Sequence, residues 1–435
     1  MTINMNDLHD PEHEGDFPTS EDPQDLDIES EAPHDIDRVM REFHAENKRR
    51  GWYTIGGAVV LAVLLVTVLT LLNPPQPNTG KMGIHLMLDD GQTSFDPVVW
   101  EPHFEYASQV GRYVTQIIRL EDLDTAKWQR FFDLCAEYEL TPIIRLATSY
   151  DAENAWWTAP PVDENGGYTS AAQQYADFFA DISFEGDVYV LVGSTPNRGD
   201  SWGGAPDPAA YTRFLTAVSQ AVRAARGQTW IGNGALDHFA PHTNGQPRSS
   251  NGMVDLDGES FIDAMFAADA NITRVLDVWN THVYSLTPPW SPQHHIEYLN
   301  GASNPDALTP VEGLYNLGVN NYNWELYKLT TLENRKIMPV IISETGWSRL
   351  LFSEEDIVQF TDLAYFGNNG HYPDQPEEGW VPWIEDSRVL AVTPFVLAGS
   401  PVRWDEYNWL EVASDGTITG TRDVFEVIAG RFSGN

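Results

Sequence analysis

Three side chains near the ends of two strand-like segments could carry out acid–base or nucleophilic chemistry. Glu344 ends the segment PVIISET, and His282 and Tyr284 lie two residues apart at the end of VLDVWNTHVY. Residues i and i+2 of a β-strand face the same side, so the imidazole and the phenol should point the same way. A carboxylate beside these groups can serve as a nucleophile held in position by hydrogen bonds.

Other polar and aromatic side chains near strand-like segments are predicted to bind a hydroxylated ligand. Guanidinium and amide groups donate hydrogen bonds to hydroxyls, and indole faces can stack on sugar rings. We expect these groups to converge in one polar pocket. The predicted substrate-binding residues are Trp404, Arg145, Arg119, Asn197, Asn280 and Trp347.

Eight short apolar or β-branched runs alternate with amphipathic stretches. This composition is typical of parallel strands buried on both faces. The intervening patterns indicate helices, and the one at DPAAYTRF begins with Asp207 as N-cap and Pro208 at the first helical position. The predicted strands are 82–88, 113–120, 141–147, 188–194, 229–235, 275–284, 339–345 and 389–397.

This alternation predicts an α/β fold, a (β/α)₈ TIM barrel, over residues 81–435. An open doubly wound sheet is the alternative, but no glycine-rich phosphate turn follows the first strand. The connections at 148–169, 236–258 and 285–312 are long, whereas the helix-to-strand returns are short. Elaboration of a single face suits an active-site rim.

The residues at the ends of the predicted strands, taken in order along the chain, resemble those of the clan of retaining (β/α)₈ glycoside hydrolases that includes cellulases, mannanases and xylosidases. The resemblance covers residues 81–435 and includes SETGW at 343–347. It implies that Glu344 is the catalytic nucleophile. It also implies that His282 and Tyr284 position the nucleophile and the sugar, and that Trp404 forms the floor of the −1 subsite.

The fourth strand departs from the clan, which ends this strand with Asn-Glu-Pro and uses the Glu as general acid/base. Here Ser194 and Thr195 occupy those two places. A threonine hydroxyl is too weak an acid to protonate a leaving oxygen, and loss of general acid–base help costs ~10²–10⁴-fold in rate. Asp200, on the same loop, is the first candidate for a substitute acid. At ~6.5–9.5 Å from Glu344 it would favour inversion. Other carboxyls that could substitute are Asp89, Asp90 and Asp237.

The first 80 residues are predicted to form three consecutive segments. Residues 1–50 carry fifteen acids and five bases, few apolar side chains, and no basis for a core, so they should form a disordered cytoplasmic tail. Residues 51–73 contain the uncharged run 54–72, whose helical length of about 28 Å matches the hydrocarbon core of a bilayer. A buried core helix or a cleavable signal peptide fits this run less well.

The charges that flank the predicted membrane helix set its orientation. Lys48, Arg49 and Arg50 precede the helix, and only Lys81 follows closely, so the N-terminus should be cytoplasmic and the barrel extracytoplasmic. Residues 74–80 form a proline-rich linker between the helix and the barrel.

The charge and the cysteine content exclude several classes of function. The chain has 25 Lys+Arg against 64 Asp+Glu and a formal net charge of −39, which disfavours binding to nucleic acid. Its single cysteine, Cys135, excludes a disulfide scaffold and a cysteine zinc site. His238 and His242 are poor metal ligands because Pro241 interrupts their helical spacing. No metal and no cofactor is expected.

The leading hypothesis is a membrane-anchored, extracytoplasmic glycoside-hydrolase-like protein that acts on a neutral oligo- or polysaccharide. The alternative is a catalytically inactive barrel that binds glycan or a cell-envelope partner, and a purely structural tether is a third possibility. The carbohydrate hypothesis depends on Glu344 in an open cavity beside an imidazole and a phenol. A Glu344 sealed beneath its neighbours or held in an internal ion pair would leave only an anchored barrel.

Overall fold

A computed structural model describes residues 79–240, 248–250, 253–285, 287–290, 318–333 and 338–433. The chain divides after Pro74, and all described residues belong to the second unit. The predicted tail, the predicted membrane helix and most of the predicted linker lie outside the described residues. Among the helices that the structure describes, none is both long and apolar enough to cross a membrane.

Eight parallel strands form a closed barrel, so the predicted (β/α)₈ fold is confirmed. Strands β1 to β5 make one sheet and β6 to β8 a second, each in sequential order. Parallel bridges between Met82 and Val392, and between Gly232 and Val278, join the two sheets at both seams. The strands are β1 (Gly83–His85), β2 (Tyr113–Arg119), β3 (Thr141–Ala147), β4 (Val188–Val192), β5 (Thr229–Asn233), β6 (Trp279–Tyr284), β7 (Val340–Gly346) and β8 (Val389–Val392).

Among the described residues, one α-helix follows each strand and packs on the outside of the barrel. Six of the eight lie where the sequence predicts them, and the Asp207 side chain caps the fourth by accepting from the Ala210 backbone N–H. The first and the last were not predicted. The helices are α1 (Glu101–Val110), α2 (Thr125–Glu137), α3 (Thr169–Asp181), α4 (Pro208–Ala225), α5 (Gly258–Ala268), α6 (Tyr322–Glu333), α7 (Glu354–Phe366) and α8 (Asp423–Ser433).

The barrel interior is apolar at its base and polar at the carboxyl ends of the strands. Ile143, Leu191 and Ile341 belong to a small buried cluster drawn from different strands. Because side chains alternate along a strand, Ile143 shares its face with Arg145, two residues nearer the carboxyl end. The interior therefore changes from packed hydrocarbon to charged and hydrogen-bonding groups at the end where the long loops lie.

Two antiparallel hairpins reinforce those loops. Tyr150–Asp151 pairs with Trp156–Trp157 after β3, and Arg248–Ser250 pairs with Met253–Asp255 after β5. The loop after β4 lies against both hairpins. At Gly204, where φ is +96°, an added Cβ would lie 2.9 Å from the Trp156 ring. Such close packing fixes the path of the segment that follows β4.

Candidate active site

A cavity of about 500 Å³ lies at the carboxyl ends of the strands. Its wall includes all five residues predicted for the catalytic role and two of those predicted to bind substrate, and these seven come from five strands or the loops after them. The structure therefore brings together residues that are far apart in the sequence. Those that line the cavity are Arg145, Thr195, Asp200, His282, Tyr284, Glu344 and Trp404.

Glu344 lies beside the imidazole and the phenol, as predicted. The Tyr284 hydroxyl donates to Oε2 of Glu344 at 3.0 Å, and Nδ1 of His282 lies 3.5 Å from the same oxygen. The Glu344 side chain is 12% exposed. Burial raises the pKa of Tyr284 well above its usual value, so the phenol keeps the proton that it donates.

The expectation that Glu344 would be free of an internal ion pair is wrong. The Arg145 guanidinium, from β3, donates to Oε1 of Glu344 and also to the Ser194 hydroxyl. Burial lowers the pKa of Arg145 to about 10, which leaves it protonated at neutral pH. Because Arg145 and Glu344 both line the cavity, the pair forms part of the cavity wall. The pair reduces the freedom of the carboxylate to react, which counts against the carbohydrate hypothesis, although both side chains still line the cavity.

Two buried histidines near this pair are neutral. Burial, and then the charge of Arg145, lowers the pKa of both His85 and His282 well below the usual value. His85 Nε2 lies 3.2 Å from a guanidinium nitrogen of Arg145. Because His282 is neutral, it carries a single N–H, and its contact with Glu344 is a polar contact and not an ion pair.

The position of the clan's general acid holds no carboxyl group. Thr195 lines the cavity, and its hydroxyl oxygen lies 2.7 Å from that of Ser201. Its φ of +36° is a left-handed conformation that side-chain-bearing residues rarely adopt. The backbone thus turns sharply after β4, and this turn places the hydroxyl of Thr195 at the cavity.

Asp200 reaches the cavity but is held by a guanidinium. Arg198 donates to Oδ1 and Oδ2 of Asp200 at 3.0 and 2.6 Å, and to Oδ2 of Asp237 at 2.7 Å. Protonation of Asp200 would break this bidentate pair, and ion pairs of this kind are among the stronger hydrogen-bonded contacts. The geometry therefore argues against Asp200 as a substitute acid.

Aromatic rings form another part of the cavity wall. Trp404 donates its indole N–H to Asp90 at 2.9 Å and meets the edge of Phe395 at a centroid distance of 5.1 Å. Trp157, from the hairpin after β3, and Tyr407 also line the cavity. Trp404 lies in the cavity wall, where the sequence predicts it.

Four predicted substrate-binding residues do not line the cavity, so those predictions are corrected. Arg119 is held by Asp89, at 3.1 Å, and by Glu121, outside the cavity. Asn280 is buried and bonds the backbone of Asn233 on the neighbouring strand.

The other two corrected residues support loops. Asn197 donates to the backbone carbonyls of Asp237 and Leu256 and so joins the loops after β4 and β5. Trp347 is buried and donates to the Thr287 carbonyl at 3.1 Å. Both side chains donate their hydrogen bonds to backbone carbonyls of the loops.

Several cavity residues were missed or set aside in the sequence. Asp90 and Asp237 carried a signal as carboxyls that follow strands, whereas Phe395 and Arg403 carried none. His238 was considered only as a metal ligand, yet it lines the cavity. Among the described residues, no group of three or more side chains is arranged to hold a metal ion.

No protein-family model and no curated protein matches the chain, but solved structures are similar to it. One is a family 39 glycoside hydrolase from the gut symbiont Bacteroides cellulosilyticus WH2, with 14% identity, 81% of this chain covered and a TM-score of 0.49. The chain spans 63% of that structure.

Two other solved structures are also similar. A glucosidase from Croceicoccus marinus has 12% identity, 82% of this chain and 67% of that one covered, and a TM-score of 0.48. An endo-1,4-β-mannanase from Rhizomucor miehei has 10% identity, 82% and 94% covered, and a TM-score of 0.43. All three are glycoside hydrolases, the class that the sequence resembles. At these identities the likeness concerns the fold.

Proposed function

We propose that this barrel binds a neutral oligo- or polysaccharide and acts on it as a glycoside-hydrolase-like enzyme, with Glu344 as nucleophile. The observation that carries the proposal is the position of Glu344. Its carboxylate lies in the cavity wall, is oriented by Tyr284 and Arg145, and shares the cavity with aromatic rings. This arrangement suits attack on an anomeric carbon.

The charges of the cavity favour a neutral ligand. A charged ligand would have to displace one member of an existing ion pair, whereas a neutral sugar can hydrogen-bond to the outer edges of these pairs. Residues 81–435 carry a net charge of −29, which further disfavours acidic glycans. The charged groups of the wall are paired as Arg145 with Glu344, Arg198 with Asp200 and Asp237, and Arg403 with Asp90.

Glu344 supplies one half of a retaining mechanism. As its carboxylate oxygen bonds to the anomeric carbon, the glycosidic C–O bond breaks and the leaving oxygen must gain a proton. Thr195 cannot supply that proton. The half of the mechanism around Glu344 therefore works best for substrates whose leaving group departs without protonation.

The second candidate function is glycan binding without cleavage. The contacts of Arg145 with Glu344 and of Arg198 with Asp200 favour it, because both carboxylates are held in ion pairs. Hydrolysis of activated aryl glycosides distinguishes the two functions, since only the enzyme releases the aryl group.

Trp404→Ala should weaken oligosaccharide binding by about 10–100-fold, whichever of the two functions holds. Stacking on an aromatic face contributes on the order of 1–3 kcal/mol, and the truncation also removes the contact to Phe395. Isothermal titration with neutral oligosaccharides measures the change. Trp230→Ala is the matched control, because Trp230 is an exposed tryptophan on β5 outside the cavity lining. Equal affinities of wild type and Trp404→Ala would contradict the proposed site.

The proposed location is an anchor across a membrane through residues 51–73, with the barrel outside the cytoplasm. It follows from the uncharged run 54–72 and the basic residues 48–50. In cells that express the full chain, a protease added outside should degrade residues 81–435 and spare an epitope placed before residue 48. Degradation of the epitope with protection of the barrel would reverse the orientation, and a protein fully released by carbonate washing would exclude the anchor.

A further inference from the structure

A buried carboxyl group lies behind the cavity and has no part in the chemistry described above. Glu325, on α6, is fully buried, and its Oε2 accepts a hydrogen bond from the Trp279 indole at 3.0 Å. Its other oxygen, Oε1, has no hydrogen bond of good geometry among the described residues. A buried carboxyl with an unsatisfied oxygen is costly to keep, which suggests a functional role.

The unsatisfied oxygen faces a histidine of the cavity wall. Oε1 of Glu325 lies 3.6 Å from Nε2 of His238, a side chain that lines the cavity. The Thr281 hydroxyl lies 3.4 Å from the same nitrogen and also interacts with the Glu325 carboxyl. A carboxyl, a hydroxyl and an imidazole thus form a polar path from the core to the cavity.

The charge state of this path suits proton transfer. Burial raises the pKa of Glu325 to about 8 and lowers the pKa of His238 to about 4. Between these values the pair holds one titratable proton, which resides on the carboxyl, and the imidazole is neutral. The contact at 3.6 Å is therefore one between an acid and a neutral base rather than an ion pair.

We propose that His238, supported by Glu325, is the proton donor and acceptor that Thr195 cannot be. The inference rests on the proposed function and adds the missing half of its mechanism. As Glu344 bonds to the anomeric carbon, the glycosidic C–O bond breaks and its electron pair stays on the leaving oxygen. That oxygen takes the Nδ1 proton of His238, while Nε2 takes the carboxyl proton of Glu325, directly or through the Thr281 hydroxyl.

The second half of the reaction reverses these transfers. Water attacks the anomeric carbon, and Nδ1 of His238 takes one of its protons. Nε2 returns a proton to Glu325, and the carboxylate of Glu344 departs. His238 is then a catalytic residue, and Glu325 a positioning residue that stores the proton. In Ser-His-Asp hydrolases the carboxylate orients the imidazole and stabilises its charged form without taking up a proton, whereas here the carboxyl begins protonated and gives its proton to the imidazole.

Other titratable groups lie near His238. His282, on β6, is one of them: burial, then the charge of Arg145 and a smaller effect of His238, lowers its pKa. Asp237 precedes His238 in the loop and is paired with Arg198. With these charges paired, loss of the Glu325 proton should govern the basic limb, so kcat/KM for unactivated glycosides should fall as the pH rises through about 8.

Substitutions at His238 and Glu325 test the proposal with two classes of substrate. His238→Gln should lower turnover of neutral oligosaccharides by ~10²–10⁴-fold, and turnover of 2,4-dinitrophenyl glycosides far less, because that leaving group needs no proton. Sodium azide should then speed the release of the aryl group and give a glycosyl azide, since azide attacks without base help. Glu325→Gln should remove the basic limb near pH 8.

Matched controls separate this role from a structural one. His103→Gln changes a buried histidine on α1, and Glu259→Gln changes a carboxylate that pairs with Lys328 on the barrel exterior. Both should leave the ratio of the two turnovers unchanged. Equal losses on both substrates in His238→Gln, or a leaving-group-dependent loss in Asp200→Asn instead, would overturn the assignment.

A measurement on the wild type applies even where a variant folds poorly. If both protons move in the same step, oligosaccharide turnover should vary with the deuterium fraction of the solvent along a curve. A linear dependence would contradict the joint proton transfer from Glu325 through His238. A wild type that binds glycan but cleaves no oligosaccharide would also overturn the proton donor and leave glycan binding intact. Absence of both binding and cleavage would instead refute the proposed function itself.

Discussion

Replacing Glu344 with Gln is expected to abolish release of aryl groups from activated glycosides, with a loss of at least ~10³-fold. The amide keeps an oxygen that can accept from Tyr284, but it cannot bond covalently to the anomeric carbon at a useful rate. It also leaves Arg145 without its carboxylate partner. Stopped-flow assays with 2,4-dinitrophenyl glucosides, galactosides, mannosides and xylosides measure the change, since the sugar is not specified by the cavity charges.

The matched control for this substitution is Glu411→Gln. It changes an exposed carboxylate in a further antiparallel hairpin after β8, in which Leu410–Val412 pairs with Ile418–Thr421. It should behave as wild type. Retention of glycan affinity by Glu344→Gln would show that the cavity is intact. Full aryl release by Glu344→Gln, in a protein whose wild type is active, would assign the nucleophile to another residue.

A steep loss of stability on mild acidification is the second large effect that we expect. Burial lowers the pKa of His103 and of His238 to about 4, and that of His85 and His282 well below the usual 6.5. The unfolded chain therefore binds more protons than the folded chain below pH 6.5. Stability that these groups provide above pH 6.5 is lost as the pH falls toward their folded values.

The expected magnitude is about 3 kcal/mol for each of His103 and His238 between pH 6.5 and 4. Glu325 acts in the opposite sense. Its raised pKa means that the folded chain binds more protons between pH 4.5 and 8, so this group adds stability as the pH falls through that window. The histidines outnumber it, and the net change below pH 6.5 is a loss.

Urea unfolding at pH 7.5, 6, 5 and 4 measures this effect. His103→Gln should flatten the profile, because it removes one buried imidazole that lies on α1 and away from the cavity. Glu325→Gln should make the profile steeper below pH 6.5. A free energy of unfolding that stays level or rises between pH 6.5 and 4.5 would contradict the proposed neutral state of these histidines.

The strands could be predicted from the sequence because parallel strands buried on both faces leave a strong local signal. The predicted range 141–147 matches β3, and the other strands overlap their predictions. The helices α1 and α8 were not predicted. In α1 the apolar positions are few and mixed with polar ones, whereas α8 carries a clear apolar set at Val424, Phe425, Ile428 and Phe432. In α1 the buried set His103, Phe104, Ala107 and Val110 includes a histidine, which weakens the helical pattern.

The candidate site was predictable where a side chain ends a strand and faces inward. His282, Tyr284 and Glu344 meet this condition. Asn280 shares their face of β6 but lies deeper in the barrel, where its amide bonds the backbone of Asn233 on the neighbouring strand. How deep in the barrel a residue lies has no signature in the residue types.

The positions of loop residues could not be predicted because they depend on tertiary contacts. His238 reaches the cavity because the loop after β5 is joined to that after β4 through Asn197, which donates to the Asp237 carbonyl and accepts from the Asp237 backbone N–H. Asp200 is held by Arg198, which lies only two residues away in the sequence. The sequence alone does not indicate whether this arginine pairs with Asp200 or points into solvent. The ion pair between Arg145 and Glu344 joins residues 199 positions apart, and only the closed barrel brings them together.

Covalent trapping tests the central claim most directly. Wild-type protein incubated with activated 2-deoxy-2-fluoro glycosides should gain the mass of one sugar, located by peptide mapping on Glu344, and Glu344→Gln should gain none. A sugar found on a different side chain, or aryl release with no trapped sugar in any of the four series, would contradict an account in which this carboxylate is the nucleophile of a glycan-binding cavity.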